Sequence, residues 1–467
     1  MTPQNKTRAQ WTLLLFFALA LRLTYQLSIV ALDGTVHNGS DTSKYVWRAL
    51  SILEHGHVEW NEATRTGLDT ERMPLYPYFL AFLFWFADGA KLHFVTVVQA
   101  FIDVGTVTAI ALTAREFNHR YTMPAAILAA ISPSLIIFTA WVLTDSLFLF
   151  SLAWATFGCV RLLRIPKSLS SLFIATLFFS IAMLIRPTLL IYWIGFVPVF
   201  YLLLRYNTSQ SSVRSAVLAI IPALAMVTVV STIALRNANN FGSFVVSTQT
   251  GNHAVQIVNS ILPFCKTCNV EKSMKVMLEK IHTRTEELPP KERVNPVTKD
   301  RIWRGVALEH LEELPLGAIV LAATDGMLRS LLQTSVYEAA IQFRLNPNFF
   351  SSVEAPSFAG RLRKFSSEVL NSAYLSTWSI IQFLALISVP IQFIGIVVLL
   401  SNRKSRAPAA FLLFTSAYVL AINGPIGSPK YGLPIIPTLI ILTVTGGVWL
   451  LHTMRIRPIP DNNSKEI

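Results

Sequence analysis

Ser40-Asp41-Thr42-Ser43-Lys44-Tyr45 at one end and Glu71-Arg72-Met73-Pro74-Leu75-Tyr76-Pro77 at the other bracket a polar loop between two strongly apolar blocks. Within the loop, Val46, Ala49, Leu50 and Leu53 recur at i, i+3, i+4 and i+7, one stripe of a helix, while Asp41, Tyr45 and Arg48 fall on another. This spacing predicts a short helix lying in a membrane interface with its polar face toward a cavity. The block that follows, residues 73–87, is rich in Phe, Leu and Trp but barely long enough to span. It predicts a re-entrant or interfacial helix, with the chemistry held in the loop before it.

Composition agrees with a membrane setting. Of 467 residues, 53% are hydrophobic and only 14% charged, and the mean hydropathy is +0.51. Soluble domains average about 25% charged residues, so the deficit marks an integral membrane protein. The net charge is +13, but Lys and Arg gather in short links between apolar blocks, a pattern that sets topology and favours membrane lipid as a partner. No basic face interleaved with aromatics stands on a soluble domain, which argues against nucleic acid. Three cysteines are too few for a disulfide scaffold. Cys159 reads as a packing residue. Cys265 and Cys268 are open to a local disulfide if their region faces an oxidising compartment.

The first apolar block, residues 11–32, follows Lys6 and Arg8 and reads as an uncleaved first helix with a cytoplasmic N-terminus. Arg22 inside it either snorkels to the interface or belongs to a site. Further spans are expected near residues 92–114, 123–141, 146–163, 170–185, 189–204, 216–235, 379–400, 409–422 and 433–454, about ten in all. Threading them with the N-terminus inside puts five compact basic links on the cytoplasmic side, together with the C-terminus, as the positive-inside rule requires. This works only if residues 73–87 do not cross.

The same threading gathers five distant segments on the outer face: residues 33–72, Thr144-Asp145, Arg186-Pro187, the whole of 236–377, and Ser428-Pro429-Lys430-Tyr431. The expected organisation is an N-terminal module over 1–235 with its first outer loop (33–91), an outer region over 236–377, C-terminal helices over 378–454, and a cytoplasmic tail over 455–467 that is polar and disordered after Ile459. In the outer region, Phe244-Val245-Val246 before Gly251-Asn252 suggests a strand and turn. Residues 270–313 read as charged helix, and 316–341 as an amphipathic helix on the bilayer, with Asp325 and Arg329 embedded. The fold class is therefore all-α and polytopic, with a small mixed α/β or α outer region.

Each candidate functional residue has a plain structural alternative. Asp41 is a preferred type of helix N-cap, or an acid facing the cavity. Glu71-Arg72 is a solvated pair at the membrane edge, or a phosphate clamp beside a helix N-terminus. Asp145 caps the helix that follows it, or is a site acid costly to bury there. Arg186 and Lys430 anchor the interface, or join Arg72 in an electropositive niche. Asn38-Gly39-Ser40 matches a glycosylation sequon. No Gly-x-Ser-x-Gly, His-Glu-x-x-His or Walker motif is present. No cofactor is expected, and a metal site is unsupported, although Asp41 and Asp145 together would make a weak site for a hard cation.

In order along the chain, Ser40-Asp41 with Tyr45, Arg72-Met73-Pro74-Leu75-Tyr76-Pro77, Thr144-Asp145-Ser146-Leu147-Phe148, Arg186-Pro187, Arg236-Asn237 before Gly251-Asn252, and Lys430-Tyr431-Gly432-Leu433-Pro434 together resemble the GT-C superfamily of membrane glycosyltransferases. The likeness is to its bacterial branch, which is related to protein O-mannosyltransferases and the lipid A aminoarabinose transferase. The resemblance implies inverting transfer of a sugar from a polyprenyl-phosphate donor to an acceptor, whether lipid, glycan or protein, at the outer face of the plasma membrane. It implies Asp41 as general base. Arg72, Lys430 and Arg186 would bind donor phosphate, and Glu71, Asp145, Tyr45, Tyr76, Asn252 and Tyr431 would support or contact substrate. The chemistry is apt: a hydroxyl attacking an anomeric carbon needs a carboxylate to take its proton, and a departing phosphate needs fixed positive charge. Phe79 to Trp85 would line the groove for the lipid tail. The competing class is a lipid flippase or secondary transporter, which would favour paired halves with matching broken helices; the sequence shows neither.

Overall fold

The structure, a computed structural model, describes residues 3–33, 41–58, 69–208, 210–345 and 358–455. The sequon at Asn38, Ser40 of the first motif and the tail from residue 456 lie outside them. Among the described residues every regular element is helical.

The helix α1 (Pro3–Asp33) is followed by α2 (Thr42–His55), α3 (Leu75–Phe86) and α4 (Leu92–Phe117). The segment expected as one span over 123–141 is instead two helices, α5 (Thr122–Ala130) and α6 (Pro133–Thr139), which meet at a 50° bend. Pro133 accounts for the break: it has no N–H to continue the helix and restricts the residue before it. Next come α7 (Asp145–Arg164), α8 (Leu169–Ile185), α9 (Tyr192–Asn207) and α10 (Ser212–Phe241). Among the described residues, seven helices are long and apolar enough to cross a membrane, or eight if the bent pair counts as one span. The chain is thus an integral membrane protein. Of the other expected segments, α8 and α9 are short, with 17 and 16 residues.

Between α10 and the last spans lies a helical region: α11 (Thr250–Ile261), α12 (Val270–Glu286), α13 (Pro290–Arg293), α14 (Pro296–Glu312), α15 (Leu316–Leu332) and α16 (Val336–Gln342). Then α17 (Phe358–Asn371) leads into α18 (Ala373–Ser401), α19 (Arg403–Asn423), the single turn α20 (Pro429–Gly432) and α21 (Ile436–Arg455). The strand expected at 244–246 does not form. Those residues run as an irregular segment beside residues 69–71, joined through Thr248 N–H to the Thr70 carbonyl (2.9 Å) and Ser247 Oγ to the Glu71 carbonyl (2.7 Å). Asn237 Nδ2 donates to the Val245 carbonyl at 2.8 Å. A strand needs an edge to pair with, and a helical region offers none. Cys265 and Cys268 are joined as a disulfide. Cys159 is fully buried in the main apolar core, where α7 packs on α4 and α8.

The amphipathic stretch over 316–341 splits into α15 and α16. Its Asp325 and Arg329 pair with each other at 2.6 Å, half exposed. On α2 the two predicted stripes separate only in part: Tyr45 and Arg48 are buried and Leu50 and Leu53 face outward, but Ala49, expected with the leucines, is buried beside Arg48 and Val46 is half-buried.

Arg22 neither snorkels nor reaches the site. It is fully buried, paired with Asp103 of α4 at 2.6 Å, and its Nη1 donates to the carbonyls of Ala18 (2.9 Å) and Ala130 (3.0 Å). A buried pair is strongly destabilised when one partner is removed, because the survivor is left uncompensated. Arg22→Ala should therefore lower stability by about 3–5 kcal/mol, read as a drop in the thermal unfolding midpoint in detergent. An Arg22→Met/Asp103→Leu double variant, which leaves no orphan charge, should recover most of that loss.

Candidate active site

Residues of α2, α8, α11, α14, α19 and α20, with the segments that join the helices, line one cavity of about 780 Å³. Its lining includes Asp41, Lys44, Tyr45, Arg72, Thr144, Arg186, Asn252, Lys430 and Tyr431. All five segments expected to converge do so.

The charged floor is built outward from Asp69. Arg48 Nε and Nη2 each reach the Asp69 carboxylate at 2.9 Å, and Nη2 also donates to Glu71 at 2.7 Å. Glu71 in turn meets Arg72 (3.5 Å) and Lys44 (3.9 Å). Arg72 donates to Asp41 at 2.9 Å, and Lys430 and Lys44 approach the same carboxylate at 3.9 and 4.0 Å. Signs alternate along this network of three carboxylates and four cations, which leaves one positive charge in surplus.

Asp41 occupies the position before α2, but its side chain makes no capping hydrogen bond; it turns to Arg72 instead. Burial pushes its carboxyl up, but the charges of Arg72, Lys430 and Lys44 outweigh that and hold it below the usual range. Glu71 follows the same pattern: burial raises it, and Arg48, Arg72 and Lys44 more than reverse the effect. Burial pushes the Tyr45 phenol up. Its ring lies under the Arg72 guanidinium, 5.4 Å from the centroid, and edge-on to Tyr76.

Three predicted residues stand behind the lining. Tyr76 is fully buried and donates to Gln99 at 2.8 Å. Glu71 belongs to the network just described. Asp145 is the first residue of α7 and makes no cap; it holds Arg186 at 2.7 Å, with its side chain 1% exposed. Its Oδ2 has no hydrogen-bond donor among the described residues. Asp41 and Asp145 thus each engage a different guanidinium, and no group of three or more His, Cys, Asp or Glu side chains with metal-site geometry occurs among the described residues.

The apolar lining comes from Leu190, Ile191, Tyr418, Ile422 and Ile426, not from Phe79 to Trp85. In α3 the exposed side chains are Tyr78, Phe82, Trp85 and Phe86, away from the cavity. A second, mainly apolar cavity of about 550 Å³ lies across α20, which gives Lys430 and Tyr431 to the first and Pro429 and Gly432 to the second. Gly432 has no room for a side chain: a Cβ there would stand 2.1 Å from the Ser330 carbonyl oxygen of α15.

Sequence reasoning missed several site groups. Asp69 was not singled out, and Arg48 was read only as part of a helix face. Gln249, with its amide oxygen turned to the guanidinium, accepts from Arg72 Nε at 3.0 Å. Glu338 of α16 is close enough to Asp145 and Lys430 to feel both charges, and its Oε2 has no donor among the described residues. Burial pushes its carboxyl up to about 7. The available signal was an acid inside an apolar stretch.

No family model matches the chain, and no curated protein does. Among solved structures, the Archaeoglobus fulgidus oligosaccharyltransferase in its apo form aligns with 95% of this chain at 12% identity and a TM-score of 0.53. The same enzyme tethered to an acceptor peptide aligns with 94% at 13% identity and a TM-score of 0.50. This chain spans about half the length of those structures, 51% and 50%.

Because the folded state holds Glu338 protonated more tightly than the unfolded chain does, the stability this confers is full at low pH. It drains away as pH rises from about 4.5 to about 7. A pH series of unfolding midpoints should show this decline, worth about 3 kcal/mol at most; in Glu338→Gln that component should vanish. Taken together, the helical architecture and the structural likeness give this chain a polytopic helical membrane fold like that of the Archaeoglobus fulgidus oligosaccharyltransferase.

Proposed function

We propose that the protein is an inverting glycosyltransferase that moves a sugar from a polyprenyl-phosphate donor to an acceptor at the outer face of the membrane. The observation that carries this reading is the Asp41 carboxylate set among Arg72, Lys430 and Lys44 on the wall of one cavity. The oligosaccharyltransferase-like fold supports it. On this reading both termini are cytoplasmic, residues 236–377 form the outer region, and the cavity opens outward.

The acceptor hydroxyl attacks the anomeric carbon while Asp41 takes its proton. The bond from that carbon to the phosphate oxygen breaks on the opposite side. Polyprenyl phosphate departs with the electron pair, its new charge facing Arg72, whose fork suits phosphate oxygens, and Lys430. A single displacement of this kind inverts the anomeric centre. The surplus of one positive charge in the network matches the single negative charge of a sugar phosphodiester. Before donor binds, the three cations make Asp41 a weak base. A phosphate that engages Arg72 and Lys430 draws their charge away and returns basicity to the carboxylate at the moment of need. Arg186, fixed by Asp145 and lying over the Phe148 ring at 5.5 Å, adds a further guanidinium to the cavity. The apolar wall from Leu190 to Ile426 receives the lipid chain.

The test uses the purified protein in lipid nanodiscs with a polyprenyl-phosphate hexose, following release of free polyprenyl phosphate in a membrane extract that supplies acceptor. Asp41→Asn should lose activity by about 10²- to 10⁴-fold and still bind the donor, while Arg72→Ala should bind it more weakly. Full turnover in Asp41→Asn would remove that residue as the base, and unchanged donor binding in Arg72→Ala would remove the phosphate contact.

A further inference from the structure

We propose that the polar face presented to the cavity by α11 and α14 is the glycosyl subsite, and that it selects a neutral, hydroxyl-rich sugar over a cationic amino sugar. The inference rests on the reading of this cavity as a polyprenyl-phosphate transferase site.

Asn252, His253 and Gln256 lie on one side of α11, and Asp300 and Arg304 lie four residues apart on α14; all five line the cavity. The opposite face of α11, with Val255, Val258 and Ile261, is buried in apolar clusters, so the helix is oriented by its own amphipathicity. The two helices touch at Gly251, where a Cβ would meet the Asp300 carbonyl oxygen at 2.5 Å and Trp303 Cβ at 2.6 Å. Asp300 Oδ1 also accepts from Gly251 N–H at 2.6 Å. This close contact brings the two polar rows onto one wall. Gln249, just before α11, joins that wall to Arg72.

Among the described residues, the side chains of Asn252, His253 and Gln256 hydrogen-bond to no other protein group, so their donors and acceptors remain for a ligand. Burial and the charges of Arg72 and Arg186 hold His253 below its usual range and keep the imidazole neutral. It therefore offers one donor and one acceptor. The wall carries one acid and one base, Asp300 and Arg304, and is otherwise uncharged. A row of paired donors and acceptors without net charge suits vicinal hydroxyls. The carboxylate on this wall, Asp300, already accepts from Gly251 N–H and feels the charge of Arg304, and Asp41 and Asp145 each pair with a guanidinium; an ammonium sugar would face Arg72, Arg186 and Lys430 as well.

The position fits a glycosyl group rather than the phosphate or the chain. The cations around Asp41 take the phosphate and the wall at Leu190, Ile191, Tyr418 and Ile422 takes the chain. The polar wall, reached from Arg72 through Gln249, lies where the group on the other side of the phosphate would stand.

The experiment measures binding of three probes to the full-length protein in nanodiscs: polyprenyl monophosphate without sugar, the same lipid bearing a neutral hexose, and the same lipid bearing an amino-pentose. The wild type should prefer the hexose lipid over both others by tenfold or more. A His253→Ala/Gln256→Ala variant should lose most of that preference while its affinity for the bare lipid phosphate stays within twofold. The milder His253→Gln, which keeps a donor and an acceptor, should retain part of it and controls for misfolding. An unchanged preference in the double variant, or tighter binding of the amino-pentose lipid by the wild type, would overturn the proposal. An equal fall for the bare lipid would assign the wall to phosphate instead. If the wild type bound no lipid phosphate at all, the transferase reading itself would fail; a bound lipid without hexose preference would remove only the subsite.

Discussion

The contact between Arg72 and Asp41 is the constraint on which the site depends. A half-buried carboxylate is costly unless its charge is answered, and this one is answered by cations from three separate parts of the chain. Lys44 comes from the helix that Asp41 precedes, Arg72 from the far end of the same loop, and Lys430 from a single turn before the last helix. Each can reach Asp41 only if the helices behind it are correctly packed. The electrostatics of the site and the assembly of the helices are therefore one problem.

Behind that contact the charges are held by other charges rather than by solvent. Arg48 is buried, yet hydrogen bonds and charge from Asp69 and Glu71 overcome the effect of burial and keep it protonated. Glu71 then orients Arg72. A network of this kind is rigid because removing any one member strands its neighbour. On the proposed transferase reading, that rigidity suits a departing phosphate, since preorganised partners need not rearrange during the reaction.

Much of this was legible in the chain, and what was not has physical causes. The spacing on α2 separated Tyr45 and Arg48 from Leu50 and Leu53, because a helix sorts its faces by period, but it put the small Ala49 on the wrong side. The shortness of residues 73–87 marked α3 as a helix apart. The order of short polar motifs foretold which segments would meet. The break at Pro133 was missed because average hydropathy over residues 123–141 conceals a single residue that cannot continue a helix. The apolar run at Val245 and Val246 resembled a strand because local composition does not say whether a partner edge exists. Asp69, Gln249 and Glu338 escaped notice because their meaning lies in residues far along the chain. The aromatic run in α3 suggested a groove but faces elsewhere, since hydrophobicity identifies a surface without naming what covers it.

Arg22 carries a consequence for how the first helix is seated. Much of α1 presents side chains such as Leu13, Phe16, Leu27 and Leu32 outward, and apolar contacts alone would let a smooth cylinder turn or slide against its neighbours. The guanidinium locked to Asp103 and to carbonyls of α5 works as a key in a slot. A rotation of one residue, or a shift of one turn, would withdraw it from Asp103 and from the α5 carbonyls at once. One polar side chain thus sets both the angle and the depth of the helix, and with them the starting point of the chain that leads to Asp41.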